Sequence, residues 1–399
     1  MKNHQVWPIL IILGNNKFIL IINMLHDNKK KYIILTGSDG GYGNLGDEFI
    51  LDAVKSFYRK FLCEYRIIIL KANIDKEKQD GFIYVSDNEA SFNAMNIDLS
   101  SIVLVHYYGG GYLNDHWFEE KIWFYKMISK NGFSKDGIIF SGQGLGPFSN
   151  EKREDMLKII NDASIFGVRD LLLLNNFNAK QFSFDDSIFL FDKIKFIANL
   201  IHSLIVRKIF RKKMRVAINL RIADFVGVER VKYLDFLRTV FEKNSEYSIC
   251  FFSMLENQHV TEEGDIRSML LEFGIKDIKF HQRPKNYKEL VKIVRKNDLV
   301  ITTSYHAVLA SLYSLVPSIA IYESEYYKEK FSGIENLFGD RAIFKVTNIN
   351  KFGFEMLHEA LHFSLGKYFN TVIELFKLKT CNILFVNKIR CMLKADANK

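Results

Sequence analysis

Short apolar runs alternate with amphipathic helical patterns from residue 31 onward. The first half contains the apolar runs YIIL, RIIIL, SIVLV and GIIF, and the pattern restarts near residue 214 with VAINL, SICFF and LVITT. Unbroken apolar strands separated by helices are typical of parallel sheets that are covered on both faces. The chain therefore predicts an α/β fold of two Rossmann-like domains, whose parallel sheets face each other across a cleft.

The length of 399 residues also favours two domains over one core. We expect an N-terminal α/β domain with glycine-rich loops at 31–192 and a C-terminal α/β domain at 214–345. A basic amphipathic segment at 193–213 separates them, and a helical, basic tail covers 346–399. Each of these two segments either packs on the protein or lies on an anionic bilayer, and the sequence leaves both interpretations open.

The N-terminal segment 1–30 is apolar but is interrupted by GNNK at residues 14–17. A signal peptide or a membrane-spanning helix needs an unbroken apolar stretch, so neither is favoured. The interruption is typical of a turn between two β-rich runs, which predicts a hairpin. Translated sequence upstream of the true start is an alternative.

Composition and charge narrow the classes of function. The formal charge of +9 is compatible with nucleic acid, an anionic membrane or acidic substrates as partners. No basic patch is interleaved with aromatic residues, so no nucleic-acid partner is expected. The four cysteines follow no zinc or disulfide spacing, and we predict reduced thiols and no metal site.

Three glycine-rich loops follow strands in the first half. They contain GSDGGYGNLGDE (37–48), GGG (109–111) and GQGLG (142–146). Glycine lets backbone N–H groups approach an oxyanion closely, and the helix that follows the first loop adds its dipole. No Walker loop and no clean dinucleotide fingerprint is present. Three such loops in one half predict a shared anion-binding face.

Three ionisable residues follow strands and are candidates for chemistry. Arg169 and Arg221 could each grip a carboxylate or phosphate, with a structural ion pair as the alternative. His306 opens a helical pattern after LVITTS, where a histidine suits proton transfer. We give the structural interpretation to four other histidines, His106, His116, His202 and His259.

The motifs GNLGDE, GGG, GQGLGPF, GVRD and TTSYH occur in this order between about residues 36 and 340. In this order they resemble the polysaccharide pyruvyl transferase family, whose members are similar in shape to two-domain glycosyltransferases of the B type. The resemblance implies transfer of the enolpyruvyl group of phosphoenolpyruvate onto two hydroxyls of a sugar. The product would be a pyruvate ketal on a cell-surface polysaccharide or its lipid-linked precursor, and no cofactor is expected.

The resemblance also implies site residues. His306 would be the catalytic acid/base, and Arg169 would bind the donor anion. The implied substrate-binding positions are Asn44, Gly46, Asp47, Gly109, Gly110, Gly111, Gln143, Arg221, Ser304, Lys328 and Lys330. Ser304 is a departure, because many family members have arginine two residues before the histidine. Arg169 or Arg221 is then expected to hold the donor carboxylate.

Two other functions stay open. One is a nucleotide-sugar-dependent glycosyltransferase of the same architecture, since fold does not fix function. The other is a non-catalytic member that binds glycan, for which Ser304 is the best argument. The expected partners are phosphoenolpyruvate and a sugar or lipid-linked oligosaccharide acceptor. The expected location is the cytoplasm, with a peripheral contact at the inner membrane face.

Overall fold

Two parallel sheets, one in each half of the chain, form the framework of the molecule. The computed structural model describes residues 9–13, 17–21, 31–38, 44–71, 80–191, 213–221, 230–241, 247–255, 262–272, 274–275, 279–322 and 324–397. The basic segment predicted at 193–213 lies outside these residues except for its last position. His202 and His259 also lie outside them. Near the N-terminus, β1 (Ile9–Leu13) and β2 (Lys17–Ile21) pair antiparallel, which confirms the predicted hairpin.

The first sheet has eight parallel strands. They are β3 (Tyr32–Gly37), β4 (Arg66–Lys71), β5 (Ile83–Ser86), β6 (Ile102–Tyr108), β7 (Gly110–Leu113), β8 (Ile138–Leu145), β9 (Ile165–Val168) and β10 (Gln181–Phe182). Their spatial order is β10-β9-β8-β6-β3-β4-β5, with β7 paired to β8. The associated helices are α1 (Leu45–Phe61), α2 (Glu89–Asn93), α3 (Phe118–Lys130), α4 (Asn150–Asp162) and α5 (Leu171–Asn176). The central strands β3, β6 and β8 are buried almost throughout, as their continuous apolar runs require.

The second sheet has six parallel strands. They are β11 (Met214–Asn219), β12 (Tyr247–Phe251), β13 (Lys279–Phe280), β14 (Leu299–Thr302), β15 (Ser318–Tyr322) and β16 (Phe344–Asn348). Their spatial order is β13-β12-β11-β14-β15-β16. The associated helices are α6 (Arg230–Phe241), α7 (Glu262–Glu272), α8 (Tyr287–Arg295), α9 (Tyr305–Ser314), α10 (Glu325–Phe338), α11 (Phe354–Leu361) and α12 (Leu365–Ala397).

Strand order reverses once in each sheet, and these two points fix where a ligand can bind. The reversal lies between the neighbouring strands β3 and β6 in the first sheet, where the chain crosses back from β5 to β6. In the second sheet it lies between β11 and β14, and both sheets have the doubly wound Rossmann order. Ligands of such folds bind beyond the carboxyl ends of the strands at the reversal. The first reversal leads to the loops that precede Asn44 and contain Gly109. The second leads to Arg221 and to Ser304.

Helix α1 joins the two halves. Its first turn packs into the core of the second half through Leu45 and Phe49, whereas the stretch from Ile50 to Tyr58 packs on the first sheet. The backbone N–H of Leu45 donates a hydrogen bond to the carbonyl of Met254 at 3.1 Å. The first glycine loop is therefore anchored directly to the second half.

Helix α12 also crosses both halves. Leu375 and Leu378 pack into the core of the second half, while Phe385 and Ile389 pack against the first sheet. The basic tail predicted at 346–399 thus includes a helix that packs on the protein. Among the residues that the structure describes, no helix is both long enough and apolar enough to cross a bilayer.

Candidate functional site

Two neighbouring cavities, of about 290 and 400 Å³, lie where the carboxyl ends of the two sheets meet. Residues of the first include Asn44, Asp47, Gly111, Trp117, Arg221 and Lys330. Residues of the second include Gly111, Gly144, Phe148, Arg169, Lys328 and Lys330. The two cavities share Gly111, Tyr326 and Lys330. Seven of the predicted site residues are thus brought together from both halves of the chain.

A glycine from each of the three loops packs against one candidate side chain. A Cβ atom added to Gly46 would lie 2.1 Å from Nδ1 of His306, and one added to Gly144 would lie 2.6 Å from Nη2 of Arg169. A Cβ on Gly111 would lie 3.2 Å from Nζ of Lys330. The first two distances are too short for any carbon atom. These glycines therefore make space for candidate side chains. The sequence predicted a different purpose for the loops, namely backbone N–H groups that bind an anion.

The other two glycines of the GGG loop hold the loop in place. The backbone N–H of Gly109 donates to Oδ2 of Asp186 at 2.8 Å, so this N–H is already bonded to a carboxylate of the protein. A Cβ on Gly110 would lie 2.4 Å from Cβ of Ser38. Of the three glycines, Gly111 alone lines the two cavities described above.

Gln143 and Ser304 lie behind the cavities. Gln143 is fully buried, and its Nε2 donates to the carbonyl of Tyr107 at 2.9 Å. Ser304 is the residue before α9, and its backbone N–H donates to Oγ1 of Thr302 at 2.8 Å. Neither lines either cavity. Substrate contact by these two residues stays a prediction, and in the structure they support the strand ends.

Asp47 is held rigidly at the start of α1. Asn44 caps the helix by accepting from the N–H of Gly46, and its Nδ2 donates to Oδ2 of Asp47 at 2.6 Å. Ser38 donates to the other carboxylate oxygen. Burial raises the pKa of Asp47, and the opposing charge of His306 only partly offsets that rise. The acid is thus fixed in position with both oxygens hydrogen-bonded.

Arg169 is a buried cation with spare hydrogen-bonding capacity. The side chain is only 5% exposed, and the guanidinium stacks 4.4 Å from the ring centroid of Tyr305 with Gly144 beside it. Within the described residues, its Nη1 atom has no hydrogen-bond partner. A buried N–H group without an acceptor is costly, and hydrogen bonds to a charged group are the strongest compensation. The arrangement is suited to an anionic ligand.

The two candidate lysines differ in surroundings. Lys330 is in contact with both cavities, and its Nζ lies 3.1 Å from the hydroxyl of Tyr326. Burial lowers the pKa of Lys330 to about 8. Lys328 lies at the exposed edge of the second cavity and pairs with Glu325 at 3.0 Å. Lys330 is therefore the better placed of the two to contact a buried anion.

His306 occupies the second position of α9 and is nearly buried. Its Nε2 lies 3.7 Å from Oδ2 of Asp185, and its Nδ1 side faces Gly46. The histidine thus stands between the first glycine loop and a buried acid that the sequence analysis did not single out. The stretch SFDDSIFLF could have revealed this acid. Two adjacent acids within an apolar run are costly to bury, and such acids are therefore candidates for a functional site.

The second missed acid, Asp186, ends a buried hydrogen-bonded chain. Tyr58 bonds Nδ1 of His106 at 2.8 Å, and Nε2 of His106 bonds Ser141 at 2.7 Å. Ser141 in turn donates to Asp186 at 2.5 Å. Burial lowers the pKa of His106 to about 3 and raises that of Asp186 to about 7. The structural interpretation of His106 is confirmed.

Comparison with solved structures defines the fold. A glycosyltransferase from Rickettsia africae is 12% identical with a TM-score of 0.58, and the match covers 92% of this chain and 99% of that one. HepE of Anabaena, solved in complex with UDP and glucose, is 12% identical with a TM-score of 0.54, covering 90% and 99%. At this identity the likeness shows the fold alone, that of two-domain B-type glycosyltransferases, which confirms the predicted fold class.

The family follows from the sequence match. The model of the family described as polysaccharide pyruvyl transferase matches residues 44–325, about seven tenths of the chain. The chain belongs to the polysaccharide pyruvyl transferase family, as the order of its motifs indicated. No curated protein gave a significant match to it.

Proposed function

We propose that this protein transfers the pyruvyl group of phosphoenolpyruvate to two hydroxyls of a sugar and forms a pyruvate ketal. Family membership supports a transferase that modifies polysaccharides. The observation that supports the anionic donor is Arg169, a buried guanidinium whose Nη1 atom has no acceptor in the described part of the chain. Phosphoenolpyruvate carries a phosphate and a carboxylate, and both suit arginine and lysine donors.

The donor would bind where the two cavities meet. Lys330 lines both cavities, Arg169 lines the second and Arg221 lines the first. Three cations from separate elements can bind the two anionic groups of the donor, its phosphate and its carboxylate. Ser304 stands where many family members have an arginine. In this arrangement Arg169 and Arg221 would supply the positive charge that this arginine supplies elsewhere.

His306 would act first as an acid and then as a base. Its imidazolium gives a proton to C3 of phosphoenolpyruvate, and C2 becomes an oxocarbenium-like centre. A sugar hydroxyl adds to C2, and the neutral imidazole accepts the proton that this hydroxyl loses. A second hydroxyl then attacks C2 and displaces phosphate. The proton that this hydroxyl loses leaves with the phosphate as hydrogen phosphate, and the ketal is complete.

The acceptor sugar would lie in the first cavity. Asn44, Asp47 and Glu120 present oxygen atoms to which sugar hydroxyls can donate, and Trp117 adds an aromatic surface. Because the cavities share Lys330 and Gly111, a sugar there would adjoin the donor. Two adjoining cavities fit a reaction that brings two substrates to one carbon atom.

Titration calorimetry with phosphoenolpyruvate, a panel of nucleotide sugars and a glycan tests the donor. We expect heat with phosphoenolpyruvate and at least a roughly tenfold loss of affinity in Arg169→Ala, because a hydrogen bond to a charged group contributes about 1.5–3 kcal/mol. Arg238→Ala, which changes an exposed arginine on α6, is the matched control. Heat with a nucleotide sugar alone would refute the proposal and favour a glycosyltransferase. Heat with glycan alone would favour a binding protein.

A further inference from the structure

One buried carboxylate, that of Asp185, lies between the two groups on which the proposed function depends. Its Oδ2 atom is 3.7 Å from Nε2 of His306 and 3.7 Å from Nη1 of Arg169. Its Oδ1 atom accepts a hydrogen bond from the backbone N–H of Ser187 at 2.9 Å. The carboxylate is therefore fixed through one oxygen and presents the other to both cations.

All three facing atoms are buried and lack a hydrogen-bond partner among the described residues: Asp185 Oδ2, His306 Nε2 and Arg169 Nη1. A separation of 3.7 Å is within ion-pair range but is too long for a hydrogen bond. Unmatched buried polar atoms are costly, whereas catalytic hydrogen bonds are often long before the substrate binds and shorten afterwards. The cluster thus has the geometry of a site that closes around its substrate.

The two ring nitrogens of His306 have different surroundings. Nε2 faces Asp185, and Nδ1 lies against Gly46 at the first turn of α1. A carboxylate that faces one nitrogen of an imidazole holds the proton on that nitrogen and orients the ring. We propose that Asp185 is a positioning residue that keeps the proton of neutral His306 on Nε2 and so fixes the orientation of the ring for its acid/base function.

The other charged groups around His306 do not compete for Nε2. Asp47, from α1, acts on His306 electrostatically but has both oxygens hydrogen-bonded, to Ser38 and Asn44. Tyr305, on the same helix, lies edge-on with ring centroids 5.3 Å apart. Burial acts to raise the pKa of Asp185, but its interaction with the nearby imidazole of His306, together with the charge of Arg169, lowers it to about 2. Asp185 is therefore an anion near neutral pH.

Nitrogen NMR of the imidazole rings tests the assignment without substrate. The whole chain is labelled with ¹⁵N-histidine, and His306 is assigned by comparison with His306→Gln. The wild-type spectrum should show neutral His306 protonated on Nε2. In Asp185→Asn the population should shift toward the form protonated on Nδ1. Asp298→Asn, which changes a buried acid at the opposite end of β14, should leave the spectrum of His306 unchanged.

Kinetics supply the second readout, and this part rests on the proposed function. With phosphoenolpyruvate as donor, Asp185→Asn should lower kcat by roughly 10²-fold or more at a little-changed donor KM, since general acid–base catalysis contributes about 10²–10⁴-fold. A raised KM with an unaltered tautomer would show that Asp185 serves Arg169 instead, and would overturn the proposal.

The wild-type spectrum alone is decisive if Asp185→Asn does not fold. His306 protonated on Nδ1 in the wild type would overturn the proposal. Conversely, a tautomer shift in Asp185→Asn without any turnover of phosphoenolpyruvate by the wild type would support the assignment of Asp185 and refute the proposed donor.

Discussion

Replacing Gly46 by alanine is the sharpest test of the contact between the first glycine loop and His306. The new Cβ would lie 2.1 Å from Nδ1 and 2.6 Å from Cγ of the imidazole. Ordinary contact between heavy atoms needs about 3.5 Å, so the ring must retreat by roughly 1.4 Å. The first turn of α1 cannot yield easily, because Leu45 is hydrogen-bonded to Met254 in the other half. Displacement of this size should lower kcat about 100-fold.

The stability effect of the same change depends on His306. Overpacking typically costs about 1–3 kcal/mol, whereas alanine favours a helix over glycine by about 1 kcal/mol. Gly46→Ala should therefore destabilise the wild type but become neutral or stabilising in the His306→Ala background, where the ring is gone. The coupling energy between the two changes should be roughly 1–3 kcal/mol.

Urea denaturation of the four proteins of this double-mutant cycle measures the coupling. Gly366→Ala is a matched control, since Gly366 is also the second residue of a helix, α12, and its nearest neighbour atom is Oγ of Ser364 at 3.8 Å. That variant should be insensitive to the His306 background. If Gly46→Ala destabilises both backgrounds equally, the contact and the argument built on it are wrong.

Three further changes test the surrounding groups. Gly144→Ala should weaken donor binding as much as Arg169→Ala, because its Cβ would lie 2.6 Å from Nη2 of the guanidinium; unaltered calorimetric affinity would contradict this. Lys330→Met should raise the free energy of unfolding at pH 7 and flatten its increase between about pH 8 and 10.5. Burial lowers the pKa of Lys330 from 10.5 to about 8. Between these two pH values the unfolded chain binds one proton more than the folded chain, so the stability of the wild type increases with pH. Asp186→Asn should remove a decline in stability between about pH 4 and 7, because burial raises the pKa of Asp186 from 3.8 to about 7 and its ionisation opposes folding. Denaturation at a series of pH values measures the effects of Lys330→Met and Asp186→Asn. Stability profiles identical to that of the wild type would contradict these two predictions.

The fold was predictable because its strands are long apolar runs. The runs YIIL and LVITT became central strands β3 and β14, and the helix expected after the first glycine loop begins at Leu45. Short strands at the sheet edges, such as β5 (Ile83–Ser86), were missed, because a partly exposed strand of four residues carries little periodicity.

The candidate site was predictable only where a local pattern marked it. The glycine loops and His306 follow strand ends, and parallel strands bring their ends to one edge of a sheet. Asp185 was missed because its partner His306 is 121 positions away along the chain, and pairing between halves leaves no local trace. The purpose of Gly46 and Gly144 was also hidden, since His306 is 260 positions from Gly46 and Arg169 is 25 positions from Gly144 along the chain.

The first turn of α1 has a consequence for how substrates enter. Because Leu45 and Phe49 are buried in the second half while the stretch from Ile50 onward belongs to the first, the two halves cannot separate without unwinding this turn. Any opening of the cleft is therefore constrained at this turn and at α12, which also packs on both halves. Gly46 and His306 touch at the first turn of α1, where displacement is smallest. The far walls of the cavities can then part while the contact between Gly46 and His306 is kept.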